Sequence, residues 1–345
     1  MSGKAVALAI LAIVGFGRMV AANDTSAALG TGGLQFVQNE SVEMRSEDLF
    51  VSEREIRVRY VFRNTSGQDV ASIVAFPMPD IVFDWGQPID IPNPEADNFL
   101  DFKTIVNGVP VEAAMERRVI SLGLERTKLL EDLKLPLMPF RRETTPKLDA
   151  LPEERKAELV SIGLVRFEEY DDTGKGMVKH LVPFIWTLKT TYYWNQVFPA
   201  GKEVVIEHRY RPSVGGTAFG TYYHPGPPRS PEEAEGMRRM VASYCIDDAF
   251  KAAVARAPKL AWADGTPFSE RRISYILRTG SNWSGGIGDF TLTVDKGAPE
   301  NLVSFCGANV RKTGPTTFQI KAKDYRPDRD LDVLILKPLP AKSPN

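Results

Sequence analysis

The sequence predicts a mainly β protein: an antiparallel β-sandwich, one large or two abutting, with short helical insertions. The clearest observation is the stretch EIRVRYVFR at 55–63, where Ile56, Val58, Tyr60 and Phe62 share one parity and Glu55, Arg57, Arg59 and Arg63 the other. Successive strand side chains point to opposite faces, so a period of two marks a half-buried strand. The alternation returns near the C-terminus, where Phe290, Leu292 and Val294 alternate with threonines and Phe318 and Ile320 with polar residues. Between such runs lie turn-forming clusters, among them NTSGQD at 64–69 and NG at 107–108. Short strands punctuated in this way favour a sandwich.

Residues 1–22 carry Lys4, then an apolar run from Ala5 to Phe16, then Val20 and Ala22 at the −3 and −1 positions of a signal-peptidase site. Such a run rises about 18 Å as a helix, short of a hydrocarbon core of roughly 30 Å. It reads as an export signal cleaved near Ala22, which makes the mature protein periplasmic or secreted. The alternative is an uncleaved anchor, and Arg18, between the apolar run and the cleavage site, is the feature that favours it. No second apolar stretch of membrane length follows, so no transmembrane span is expected in the mature chain.

Residues 23–123 read as the strands of an N-terminal sandwich. The alternating strand, the NTSGQD turn and VASIVAF form an antiparallel hairpin, ended by Pro77 and Pro79 because proline cannot donate to a ladder. FKTIV and VPVEA form a second hairpin around NG. Residues 124–164 read as a helical insertion, with apolar residues at helical spacing, Pro152 in a first turn and Gly163 at a C-terminal cap. Strands in 165–229, including IWTLKTTYYWNQVF and GKEVVIEHRYRPSV, complete the first sandwich. Residues 230–257 hold two helices. Ser230, Pro231 and Glu233 fit N-cap, N1 and N3 of the first, and Asp247 and Asp248 open the second, where carboxylates complement the helix dipole. Residues 258–338 return to strands, and 339–345 form a flexible tail.

Composition excludes some partners. Lys and Arg number 43 against 44 acidic residues, and loss of Lys4 and Arg18 with the signal leaves a net charge near −3. A phosphate-binding surface needs a basic excess, so nucleic acid is not the expected partner. Cys245 and Cys306 are the two cysteines; in an oxidising compartment an even pair reads as a disulfide. Neither has a CxxC partner or a neighbouring histidine, which argues against zinc.

Several blocks carry a family resemblance. They are NDTSAALGTGGLQFVQNESVEMRSEDLFVS, VRYVFRNTSGQDVASIVAFPMPDI, WNQVFPAGKEVVIEHRYRPSVGG, YCID, LRTGSNWSGGIGDFTLTVDKG and SFCG. In this order the chain resembles an exported bacterial family, domain-of-unknown-function family 4424. The resemblance implies an exported, periplasmic protein and brings no activity with it. YVFRN with AFPMPD is also similar to part of the vault/inter-α-trypsin type β-domain, which implies only a sandwich with protein-contacting relatives.

No residue pattern announces chemistry. There is no GxSxG elbow, and GTGG at 30–33 has neither a strand before it nor a helix after it, so it reads as a turning segment rather than a phosphate cradle. His208 shares parity with Val204, Ile206 and Tyr210 and points inward; His224, in the aromatic loop, has no HxH or HxxE spacing beside it. YDDTGKG reads as a solvated turn without the alternating oxygen ligands of a calcium loop. No catalytic residue, metal or cofactor is expected. The aromatic segments TTYYWNQ, GTYYHPG and GSNWSGG offer a candidate binding surface of Tyr192, Tyr193, Trp194, Tyr222, Tyr223, His224, Asn282 and Trp283, because Tyr and Trp combine apolar area with a hydrogen-bonding tip. Rings plugging the ends of the sandwich are the alternative. The leading functional expectation is a non-catalytic interaction or structural module contacting an envelope protein or glycan. A glycan or small-molecule binding protein using the aromatic loops is the second, and a hydrolase with an unrecognised site the third.

Overall fold

The computed structural model describes residues 23–30, 33–84, 88–171, 174–217, 227–257 and 268–339. The expected export signal, Tyr222, Tyr223, His224 and nearly all of the tail lie outside the described residues. The fold is mainly β. One eight-stranded sheet runs in the order Arg311–Lys312, Thr317–Tyr325, Trp283–Asp295, Asn39–Ser52, Ile56–Asn64, Glu203–Tyr210, Lys103–Val106, Val109–Val111. Its neighbour runs Leu124–Glu125, Ala114–Ser121, Thr187–Phe198, Val70–Pro77, Thr25–Gly30, Gly33–Val37, with Ile81–Val82 added beside Thr187–Phe198. A five-stranded sheet is centred on Phe268–Tyr275 and Leu331–Pro338, and Val165–Tyr170 pairs with Val178–Pro183 as a separate two-stranded ribbon. Strands from both ends of the chain share the largest sheet, through a parallel pairing of Asn39–Ser52 with Trp283–Asp295. One cluster of buried apolar side chains runs from Val42 to Ile335.

The alternation at 55–63 does what its period requires. Ile56, Val58, Tyr60 and Phe62 are buried, while Arg57 and Arg59 face outward and meet Glu55 and Glu207. The expected hairpin with VASIVAF does not form. Ile56–Asn64 pairs with Asn39–Ser52 and Glu203–Tyr210, whereas Val70–Pro77 pairs with Thr187–Phe198 and Thr25–Gly30 in the other sheet. NTSGQD is therefore an arch between two sheets. Asn64 holds it: its Nδ2 donates to the carbonyls of Gln68 and Phe198, both at 2.7 Å, and its Oδ1 accepts from the Ser66 amide at 2.9 Å. A side chain thus supplies the partners that a hairpin ladder would have supplied. The NG hairpin does form, with Asn107 and Gly108 both at positive φ as a type I′ turn requires.

A one-residue irregularity decides what the core contains. Along Asn39–Ser52 the register passes from Met44 opposite Phe62 to Ser46 opposite Val61, so Arg45 is an extra residue. Such a bulge reverses the parity of everything after it. Val42 and Met44 point inward before it; Glu47, Leu49 and Val51 point inward after it. Gly288 on the neighbouring strand makes room, because a Cβ there would lie 2.7 Å from the Arg45 carbonyl oxygen.

The helices Thr127–Asp132, Thr144–Asp149 and Glu153–Ser161 bury Leu130, Leu148 and Leu159 against the common core. Trp186, fully buried, donates from its indole to the Leu137 carbonyl at 3.0 Å and so ties this segment to the sheet. Helix Pro231–Tyr244 starts at Ser230, whose hydroxyl accepts from the Glu233 amide, and Asp247 caps Asp248–Arg256 in the same way. Cys245 and Cys306 place their sulfurs 2.11 Å apart, the position of a disulfide. Among the described residues no helix is long and apolar enough to cross a membrane.

Candidate functional site

Two places concentrate chemistry. The first is a polar cluster inside the core, built around the segment that follows Ala22. Asn23, Asp24 and Thr25 are each 0% exposed. The Asn23 amide donates to Thr279 Oγ1, and Thr279 returns its hydroxyl to the Asn23 carbonyl at 2.7 Å. The Asn23 side chain donates to Glu47 Oε2 at 2.9 Å and accepts from the Tyr60 hydroxyl, which lies 2.8 Å from that of Tyr275. Trp283 donates to the Asp24 carbonyl at 2.5 Å, and Asn282 to Thr25 Oγ1 at 2.9 Å. The bulge at Arg45 turned Glu47 into this cluster, and Gly280 leaves room for it, since a Cβ there would sit 2.6 Å from Asn23 Nδ2.

His208 extends the cluster. Its Nε2 lies 3.0 Å from Asp24 Oδ1 and its Nδ1 3.1 Å from Thr104 Oγ1, inside rings of Phe76, Phe102 and Trp194. Carboxylate, imidazole and hydroxyl in a line resemble the order of a nucleophilic triad. Here Thr104 is 3% exposed and His208 2%, so no substrate reaches the hydroxyl, and the line acts as a structural hydrogen-bond chain. Burial pushes the Glu47 carboxyl up to about 8, opposed by the Asn23 side-chain amide and the Tyr275 hydroxyl and helped by the charge of Asp24. Burial also raises Asp24, against the pull of His208. Tyr60 and Tyr275 are raised for the same first reason, desolvation.

The expected aromatic surface is corrected in part. Tyr192, Trp194 and Trp283 are core residues, 3%, 5% and 2% exposed. Tyr192 and Trp194 lie on the inward parity of Thr187–Phe198, and Tyr192 stacks on Phe102 with centroids 4.2 Å apart while its hydroxyl donates to Asn98 at 2.8 Å. Tyr193 is half-buried on the other face, against Ala27, Leu34 and Ala75. Asn282 belongs to the polar cluster rather than to a surface. Sequence reasoning missed Asn23, Asp24, Glu47, Thr104 and Thr279 as partners. It also missed Thr25–Gly30, a strand directly before GTGG.

The second place is a cleft of about 390 Å³ beside the cysteine pair. Leu277, Phe290, Leu292 and Ile320 give it an apolar floor, and Tyr325 forms a wall stacked on Phe290 with centroids 4.5 Å apart. Asp328 and Arg329 stand at its mouth. Arg329 Nη1 lies 3.3 Å from Cys245 Sγ and 2.7 Å from Cys306 Sγ. Sulfur is a weak acceptor, and among the described residues Arg329 has no carboxylate within ion-pair distance. The volume falls in the range of small-molecule sites, and a few polar groups over an apolar floor is their usual lining. No group of three or more metal-ligating side chains occurs among the described residues.

No curated protein matches the chain. Among solved structures, the crystal structure of a provisionally named nutrient binding protein from Legionella pneumophila subsp. pneumophila str. Philadelphia 1 aligns with a TM-score of 0.43 and 13% identity, over 91% of this chain and 70% of that one. A likeness of that size supports no conclusion about fold or ligand. The sequence profile of the domain of unknown function DUF4424 matches residues 22–334, nearly the whole chain, and the protein belongs to that family.

Proposed function

We propose that the protein is a non-catalytic binding module of the bacterial envelope, exported by cleavage near Ala22, whose ligand site is the cleft beside Cys245 and Cys306. Two features support export: the signal-like residues 1–22, and a family match that begins at residue 22. The observation that carries binding is the cleft itself. An apolar floor and the Phe290–Tyr325 stack suit a flat or branched apolar body, while the Arg329 guanidinium, whose hydrogen bonds among the described residues go to the two sulfurs, suits a carboxylate that outcompetes the neighbouring Asp328 and Asp330. The ligand class is a small carboxylate with an apolar body. The test is a thermal-shift panel of apolar amino acids and of aromatic and branched-chain carboxylic acids. A saturable rise in Tm with one class, lost in Arg329→Gln and weakened in Tyr325→Ala, is expected. A panel without saturable response, or a response unchanged in Arg329→Gln, overturns the reading.

A protein-docking role has one observation in its favour. Among the described residues, the ribbon of Val165–Tyr170 and Val178–Pro183 joins no other sheet, and Phe167, Met177 and Val178 are exposed. In-cell crosslinking through Phe167 tests it; a reproducible envelope protein attached there supports docking, and no attachment removes it.

A further inference from the structure

Chain termini usually lie at the surface. The segment that opens the exported chain does not: Asn23, Asp24 and Thr25 have no exposed area, and among the described residues every polar contact of Asn23 is to a core residue or to its neighbour Asp24. Two carboxylates share this interior, Asp24 and Glu47; Asp24 Oδ2 and Glu47 Oε1 make no hydrogen bond of normal geometry, and the Tyr275 hydroxyl, close enough to pull the Glu47 carboxyl down, brings no charge. His208 is the one basic side chain bonded to either of them among the described residues. A buried carboxylate without a cation is expensive, and proteins ordinarily neutralise or pair it.

We propose that the α-amino group of Asn23, freed by cleavage after Ala22, is the cation this site lacks, so that signal removal completes the core. The proposal rests on the export reading for the position of the cut. A peptide nitrogen at residue 23 has one N–H, and Thr279 Oγ1 takes it. An α-ammonium has three and a charge. The two added donors emerge from the residue whose own side chain reaches Glu47 at 2.9 Å and whose successor carries the other free carboxylate oxygen. Gly280 shapes the wall around this residue, since any side chain there would strike the Asn23 side-chain carboxamide, at its Nδ2. While residue 23 is still peptide-linked, the site holds Glu47 protonated, consistent with its carboxyl lying near 8.

The test compares two purified chains: residues 23–345 with a free Asn23 amine, released by a fusion protease that leaves no extra residue, and the same chain preceded by one alanine. Each is also made with Glu47→Gln. At pH 7 the free amine is expected to raise Tm by about 3 °C or more in the wild type and by about 1 °C or less in Glu47→Gln. Equal Tm with and without the alanine, or a gain that survives Glu47→Gln, overturns the proposal. Reductive methylation gives a readout that does not depend on the variant folding. The docked amine is expected to be modified only after unfolding, and rapid modification of the native protein overturns docking. N-terminal sequencing of the envelope-purified protein judges the export reading separately. A start at Asn23 supports both, whereas a start elsewhere overturns the role of processing and leaves the two-chain comparison to judge docking alone.

Discussion

Glu47 should make the alanine-extended chain lose stability as pH rises. In the folded state burial, with the Asp24 charge, lifts its carboxyl from 4.5 to about 8, against the Asn23 hydrogen bond. The sign follows from linkage. Between pH 4.5 and about 8 the folded chain holds a proton that the unfolded chain has released, so stability is full below 4.5, falls through this window and levels off above it. At about 1.4 kcal/mol per pH unit the whole interval is worth up to about 5 kcal/mol, an upper bound because the site relaxes on ionisation. Asp24, also raised, acts in the same direction. Asp97, held low by Arg117 and Arg141, acts in the opposite direction and only at acid pH, below the ordinary carboxylate range. The assay is urea unfolding of the extended chain at pH 5 and pH 8, with Glu47→Gln beside it. The wild type should be less stable at pH 8 by at least about 2 kcal/mol, and Glu47→Gln should lose most of that difference. Equal stabilities at the two pH values, or an undiminished fall in Glu47→Gln, would refute the reasoning.

Four further outcomes follow from named contacts. Gly288→Ala drives a Cβ toward the Arg45 carbonyl, which is backbone and cannot swing aside, so a loss of about 2–3 kcal/mol in denaturant unfolding is expected; a loss under about 0.5 kcal/mol would remove the bulge-room argument. Gly280→Ala displaces the Asn23 amide from Glu47 and should cost about 1–3 kcal/mol, read as a lower urea midpoint, with no change if the amide is not held there. Phe62→Ala empties a site packed on Trp283 at 4.6 Å and Phe198 at 5.8 Å, with about 3–5 kcal/mol lost; near-neutral behaviour would show that this core collapses freely. Reduction of Cys245–Cys306, which are 61 residues apart, should lower Tm, since closing such a loop contributes about 4 kcal/mol in the chain-entropy picture. Two free thiols in the untreated protein, or an unchanged Tm after verified reduction, would count against an oxidised pair.

What the sequence made legible was local. Ile56 to Phe62 announce their face because a strand's period is fixed by its pleat, and NG and Ser230–Glu233 announce a turn and a cap because their geometry needs those residue types. Pairing partners were another matter. Alternation says which face is buried but nothing about which strand lies beside it, so NTSGQD read as a hairpin turn when it spans two sheets. The bulge at Arg45 carries no residue signature, so nothing in the sequence marked Glu47 as an inward residue. Trp283 looked like a loop residue among serines and glycines, yet Gly285 and Gly286, at φ +85° and +105°, serve an irregular strand rather than a loop. The polar cluster joins residues 23–25 to 279–283, segments far apart in sequence that adjoin only in the tertiary structure.

Native mass spectrometry of the folded protein with the carboxylate panel tests the functional claim most directly. The account predicts a one-to-one adduct with an apolar carboxylate on the wild type and its loss in Arg329→Gln. A wild type that stays bare across the panel, or an adduct equally abundant on Arg329→Gln, would contradict it.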